Sequence, residues 1–343
     1  MTSEQGSSTP KAILYSWPTS VWSTVPQLCL YEKGYSDDEY IIRYVDINEG
    51  ATVMPVVLCS CSRLTGTIPT LVVPTLETTG TGVDTRYRSL RDTVSICDFL
   101  DHARSANAGH MHHPDKPAPT LAPATIEGKA LSDTIISLIH LTTVDPNFLA
   151  LCARNAEELA DKAKKAPGQS LTARRESLLH YLEEAKHAVS ESAVAPKEGN
   201  LTWEQKTVKF LEEKIKSNEQ LWELYNGKAG KDREEMFFDV CRKTWTEALP
   251  ETFNKLEDAI QGPFALGDQV SLADLHTISW LTRLVSIAGG DPNQSGIESL
   301  HPHLGGFKLG PKLLKFWEIW VQRESFKKVL VPATGEFQRM SGH

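Results

Sequence analysis

Long apolar runs are missing from this 343-residue chain. Stretches such as Val53 to Cys59 fall far short of the roughly 20 residues that span a bilayer, so no membrane partner is expected. Positive charge is also scarce: 36 Lys and Arg stand against 44 Asp and Glu, a net charge of -8. The basic residues sit among acidic ones, as in Lys162-Ala-Lys-Lys165 and between Lys206 and Lys216, so they read as solvated helix faces and argue against nucleic acid as the main partner. Cysteine is sparse and scattered, at 29, 59, 61, 97, 152 and 241, which is not a disulfide framework. Cys59-Ser-Cys61 is a close pair, yet no second Cys/His pair lies at zinc spacing, and no metal is expected. Residues 1–10 are polar and lack the apolar core of a secretory signal, and Arg339 to His343 carry no lipidation signature. The expected location is the cytosol.

What is present falls into two kinds of pattern. Residues 1–10, rich in Ser and Thr, read as a disordered leader. Ala12 to Ser16 reads as a strand. A helix follows, beginning near Trp22 or Ser23 with Pro26 in its first turn and a charged end at Glu32-Lys33-Gly34. Tyr40 to Val45 and Thr67 to Val73 are strand-like, the latter with Pro69 inside it. A proline there marks an edge, a special turn or a cis peptide. Arg86 to Leu90 reads as a fourth strand and Asp92 to His102 as a helix. A linker dense in Pro, Ala and His covers 105–128, and beyond it the apolar spacing is helical throughout. The helices are expected over 131–143, 156–165, 171–189, 202–225, 233–260 with a break at Pro250, 271–288 and 311–329. The expected domains are therefore a sheet-bearing one over 11–104 and an all-helical one over 129–335.

Four segments in this order resemble the glutathione transferase superfamily. Leu14-Tyr15-Ser16 through Glu32-Lys33-Gly34 is similar to its first strand, active-site turn and first helix, with Ser20-Val21-Trp22-Ser23 where the family writes Ser/Cys-Pro-x-Ser. Gly66-Thr67-Ile68-Pro69-Thr70-Leu71 resembles the cis-proline segment. Arg91-Asp92-Thr93 through Phe99-Leu100 resembles the helix opened by Glu-Ser, and Leu266-Gly267-Asp268 through Asp274-Leu275 resembles the Ser/Thr-x-x-Asp cap of the buried helix. The chain departs from the family in Val21 for Pro, in Asp92 for Glu, and in a long helical insertion around 150–235. Ganglioside-induced differentiation-associated proteins and tetrachlorohydroquinone dehalogenases carry insertions of this sort. The resemblance implies an α/β thioredoxin-like domain plus an all-α C-terminal helical domain. It further implies a detoxifying transferase joining glutathione, as co-substrate, to a small hydrophobic electrophile, and a homodimer.

The chemistry asked of such a site is thiolate stabilisation, since the thiolate is the nucleophile. A hydroxyl at a helix start can donate to sulfur while free helix N–H groups add positive potential. Ser20 is the first candidate, Ser23 the next, then Ser16 and Thr19; Ser20 reads equally as a plain N-cap. No cysteine occupies 16–24, which favours conjugation over thiol exchange. By the resemblance, Ile68 and Pro69 hold the cysteinyl part of glutathione, Asp92 and Thr93 its γ-glutamyl end, and Arg63 its glycyl carboxylate. Trp22 or Trp17, with the helix over 131–143, would wall the second-substrate pocket. Ser271 and Asp274 read as a structural capping box. His110, His112 and His113 read as part of a mobile loop, and the Asn200-Leu-Thr202 sequon as unused. A non-catalytic binding or regulatory protein of the same fold, or a glutathione-dependent lyase or dehalogenase, stays open beside the transferase.

Overall fold

The computed structural model describes residues 11–45, 67–74, 87–104, 118–191 and 201–341. Four short strands form one sheet: β1 (Ala12–Ser16), β2 (Tyr40–Tyr44), β3 (Thr70–Pro74) and β4 (Tyr87–Leu90), in the order β2-β1-β3-β4. β1 runs parallel to β2, while β3 is antiparallel to both β1 and β4. The two central strands, with sequences AILYS and TLVVP, are the nearly continuous apolar ones, because both of their faces are covered. The edge strands carry exposed Tyr and Arg positions. On one face α1 (Val21–Glu32) and α2 (Thr93–Ala103) bury Val25, Leu28, Ile96 and Leu100 against Leu14, Leu71, Val73 and Leu90. A smaller cluster of Tyr15, Val45 and Val72 covers the other. This is the thioredoxin-like half that the sequence implied.

Two local expectations need correction. The first helix begins at Val21, so Pro26 lies in its interior and not in its first turn. Its missing N–H leaves one helical bond unmade, yet Pro26 is buried in the packing of α1 and tertiary contact overrides the local penalty. The second concerns the charged end at Glu32-Lys33-Gly34, whose Lys33 is buried. Its side chain has no exposure and lies 2.8 Å from Asp101. Gly34 takes the positive φ of 68° that ends the helix.

The helical half comprises α3 (Ile126–Ile139), α4 (Pro146–Leu151), α5 (Ala156–Lys164), α6 (Ala166–Glu191), α7 (Trp203–Tyr225) and α8 (Lys231–Lys243). It continues with α9 (Leu249–Ala259), α10 (Leu272–Ile287), α11 (Pro311–Trp320) and α12 (Val331–Ser341). The linker expected over 105–128 thus overlaps the first turn of α3, where the Thr125 side chain accepts from the Gly128 N–H at 3.0 Å. The break expected at Pro250 does not occur: the backbone stays helical from Lys231 through Ala259, with a wide π-helical turn over Thr244–Ala248 just ahead of the proline. What the apolar spacing joined as 311–329 is α11 and, after a turn at 321–323, a π-helical stretch at Phe326–Leu330 that leads into α12. α6 and α7 form the insertion. They run antiparallel, with Thr172 beside Trp222, Arg175 beside Glu219 and Lys186 beside Glu212.

α10 is the centre of the molecule: every residue from Leu272 to Ser286 is buried. The two halves meet along α1 and α10, where the Thr24 hydroxyl donates to Ser279 at 3.0 Å. Asp101 adds a second tie. Its carboxylate accepts from Lys33 and from the N–H groups of Leu121 and Ala122, at 2.9 and 3.0 Å, on the segment entering the helical half. No helix among the described residues is long and apolar enough to cross a membrane.

Candidate active site

Sheet register brings the expected motifs to one end of the sheet. Tyr15 of β1 pairs with Thr70 of β3, and Leu71 pairs with both Leu14 and Leu90. The turn after β1, the Ile68-Pro69 segment before β3 and the Arg91-Asp92-Thr93 segment after β4 therefore emerge side by side.

Ser20 is the N-cap of α1, with extended backbone angles of -80° and 114°. The turn is closed by the Ser20 N–H donating to Trp17 C=O at 3.0 Å. Ser20 nevertheless makes no side-chain cap hydrogen bond, so the hydroxyl is unused at a helix start where free N–H groups point the same way. It opens on a cavity of about 280 Å³ between the two halves. Ser23 has no exposed surface, and its buried hydroxyl has no partner among the described residues. Ser16 is equally buried and accepts from Gln27 at 3.0 Å. Thr19 joins Ser20 at the cavity. Of the hydroxyls singled out by sequence, only these two are open to a ligand there.

The Ile68-Pro69 peptide is cis, and Ile68 precedes the first ladder residue of β3, so its backbone groups lie outside the sheet. Asp92 caps α2 by accepting from the Ser95 N–H at 2.7 Å. Thr93 follows as the first helical residue, whose N–H has no intrahelical partner. Arg63, Cys59, Cys61, the His110 to His113 cluster and Asn200 lie outside the described residues. Ser271 and Asp274 form the capping box, and Asp274 also accepts from Ala265 N–H at 2.8 Å. Burial pushes the Asp274 carboxyl up to about 6, partly offset by these donors. The turn that delivers Ala265 needs Gly267, whose φ is +128°.

The pocket walls differ from the sequence expectation. Neither Trp22 nor Trp17 lines the cavity, nor does the helix expected over 131–143. Trp22 instead stacks on His140 with centroids 3.9 Å apart, and His140 Nε2 lies 2.9 Å from His276 Nδ1. Burial and the neighbouring His140 pull His276 down to about 3, and burial lowers His140, so the pair is neutral at physiological pH. The reason is the packing of α1 on α10, which draws the indole into the domain interface.

The cavity is walled by α4, α5, α6, α10 and α12, and brings Lys162 and Arg283 towards Ser20. Sequence reasoning put Lys162 on a solvated helix face, whereas its ammonium folds onto the Ala150 and Cys152 carbonyls, and it missed Arg283. Arg283 was visible as the one basic residue besides a histidine in the sequence LADLHTISWLTRLVSI, a helix too apolar to leave any side in solvent. Burial pulls its guanidinium down to about 9, which leaves it charged at neutral pH.

No protein-family model matches the chain, and no curated protein matches it. Solved structures similar to it include a delta-class glutathione transferase of Nilaparvata lugens, at 12% identity and a TM-score of 0.48, covering 96% of this chain and 98% of that one. Glutathione transferase E6 of Drosophila melanogaster is similar at 14% identity and a TM-score of 0.49, covering 97% and 96%. Maleylacetoacetate isomerase of Anaeromyxobacter dehalogenans with bound glutathione is similar at 16% identity and a TM-score of 0.45, covering 94% and 96%.

Proposed function

We propose that this chain is a glutathione transferase in which Ser20 stabilises the glutathione thiolate. The observation that carries the reading is Ser20, which stands at the start of α1 with a hydroxyl that does not cap it and is one of the residues lining the cavity. A serine serving only as a cap would accept from the second or third helical N–H. Here the hydroxyl is left to donate to sulfur.

The remaining groups suit the rest of the tripeptide. Backbone N–H and C=O of Ile68, outside the sheet ladder, meet the cysteinyl unit in the manner of an added strand. The N–H groups opening α2 at Thr93 receive the γ-glutamyl carboxylate, and the exposed Asp92 carboxylate receives its ammonium. On ionisation the thiol proton leaves to solvent. The sulfur lone pair then forms a bond to the electrophilic carbon of the second substrate, and the leaving group departs with its bonding pair.

Ser20→Ala tests the assignment. The apparent pKa of bound glutathione should rise, and conjugation of 1-chloro-2,4-dinitrobenzene should slow about tenfold or more, equivalent to about 1.4 kcal/mol. Thiolate absorbance and initial rates read the two effects. Unchanged kinetics would remove Ser20 from the site, and glutathione binding without any conjugation by the wild type would make the chain a binding protein.

A further inference from the structure

Three cationic side chains, Lys162, Lys165 and Arg283, line the cavity against one carboxylate, Asp161. Two of the cations are partnered. Lys165 pairs with Asp161 at 2.9 Å, and Lys162 donates to the carbonyls of Ala150 and Cys152 at 3.0 and 2.6 Å. Those carbonyls are neutral, so the Lys162 charge is not cancelled by them. Arg283 is different. It is only 7% exposed, and its one contact of this kind among the described residues is the Phe337 ring, 3.9 Å from the guanidinium carbon. It has neither a hydrogen bond nor an ion pair there. At that exposure the guanidinium keeps little of its hydration and has no protein acceptor among the described residues, so its N–H groups are left for an acceptor within the cavity it lines.

The rest of the wall says what that is. Leu151, Pro167, Ile287 and Met340 are apolar, and the first turn of α6 opens on the same space. Apolar walls disfavour a bare inorganic anion, and a single fork matches the two oxygens of a carboxylate.

We propose that the cavity receives a small organic carboxylate with an apolar body, anchored by Arg283, as the second substrate of the Ser20 site. The glutathione reading supplies only the nucleophile; the carboxylate anchor stands on the cavity itself. With an aryl chloride as electrophile, the thiolate sulfur bonds to the ring carbon and chloride leaves with the C–Cl pair. The carboxylate takes no part beyond positioning the ring.

The test compares matched probes on the full chain. Calorimetry with unreactive 3,5-dinitrobenzoate and 1,3-dinitrobenzene reads the anchor alone. Wild type should bind the carboxylate about tenfold or more tightly, and Arg283→Met should abolish that preference. Thermal unfolding should show the variant no less stable than wild type without ligand, because the buried charge is gone. Arg283→Gln serves the same comparison should the methionine variant fail to fold. Equal binding of both probes by wild type, or a preference that survives loss of Arg283, overturns the proposal. Conjugation of 4-chloro-3,5-dinitrobenzoate and of 1-chloro-2,4-dinitrobenzene then separates the two claims. A carboxylate preference in binding without conjugation keeps the anchor and sinks the transferase reading. Conjugation of both without preference does the reverse.

Discussion

α10 and the α6–α7 hairpin are both helical, yet they solve the burial problem in opposite ways. α10 is enclosed on every side by α1, α3, α4 and α12, and so carries no solvent face from Leu272 to Ser286. The hairpin touches mainly itself. Along α6 only Gly168, Leu171 and Leu178 are buried, and along α7 only Leu211, Asn218, Leu224 and Tyr225. Polar groups in α10 are matched unevenly: Asp274 and Ser279 have partners inside the protein, whereas the Thr277, Thr282 and Ser286 hydroxyls have none among the described residues. Those on the hairpin can face water. The cavity lies at the α10 end of this contrast, with only the N-terminal part of α6 reaching it from the hairpin.

The largest effect is expected where the densely bonded side is cut. Asp101→Ala leaves the Lys33 ammonium buried without its carboxylate and takes the acceptor from Leu121 and Ala122 N–H. Breaking a buried pair in this way costs about 3–5 kcal/mol, read by urea unfolding. A loss under about 1 kcal/mol would mean that the junction between the halves is no tighter than the hairpin, and the contrast would fall.

Asp274 sharpens the same side through pH. Burial raises its folded-state pKa to about 6 from an ordinary 3.8. The folded chain then holds a proton that the unfolded chain releases between those values. The associated stability is complete below about pH 4, is lost as pH rises through about 6, and amounts to about 3 kcal/mol over the window. Asp274→Asn has nothing to titrate, so wild-type stability relative to that variant should fall from pH 4 to 7 in urea titrations. A relative rise would show the carboxylate held ionised by its donors from Ser271 and Ala265.

Much of the fold was legible because its signals are local. The strands β1 and β3, the Asp274 cap and the cis option at Ile68-Pro69 each follow from a few adjacent residues. Ser20 was placed at a helix start by the same means, but whether its hydroxyl caps could not be read, since Ser is equally suited to both roles. The failures are non-local. Lys33 was read only as part of a charged helix end, and nothing in Glu32-Lys33-Gly34 points to its buried partner Asp101, which lies far along the chain. Trp22 and the helix over 131–143 were read as facing walls of a pocket; Trp22 does meet that segment, stacking on His140, but away from the cavity. Arg283 acquires meaning only when α5, α6 and α12 close around it.

The smallest effect belongs to the hairpin. Its seam is a separate cluster of Leu178 and Leu211, flanked by half-buried Tyr181, Leu182 and Ile215, and apart from the main core. A seam of that size should open without global unfolding, so its amides should exchange through a smaller free energy than those of α10. Leu211→Ala removes apolar contact where two helices can partly close up, which puts the cost near the low end for such truncations, about 2 kcal/mol. Native-state hydrogen exchange should register that loss in α6 and α7 and leave α10 protection unchanged. If α10 loses protection equally, hairpin and core open as one cooperative unit. The insertion would then be part of what holds Lys162 and Arg283 in place, and its length would matter to the site.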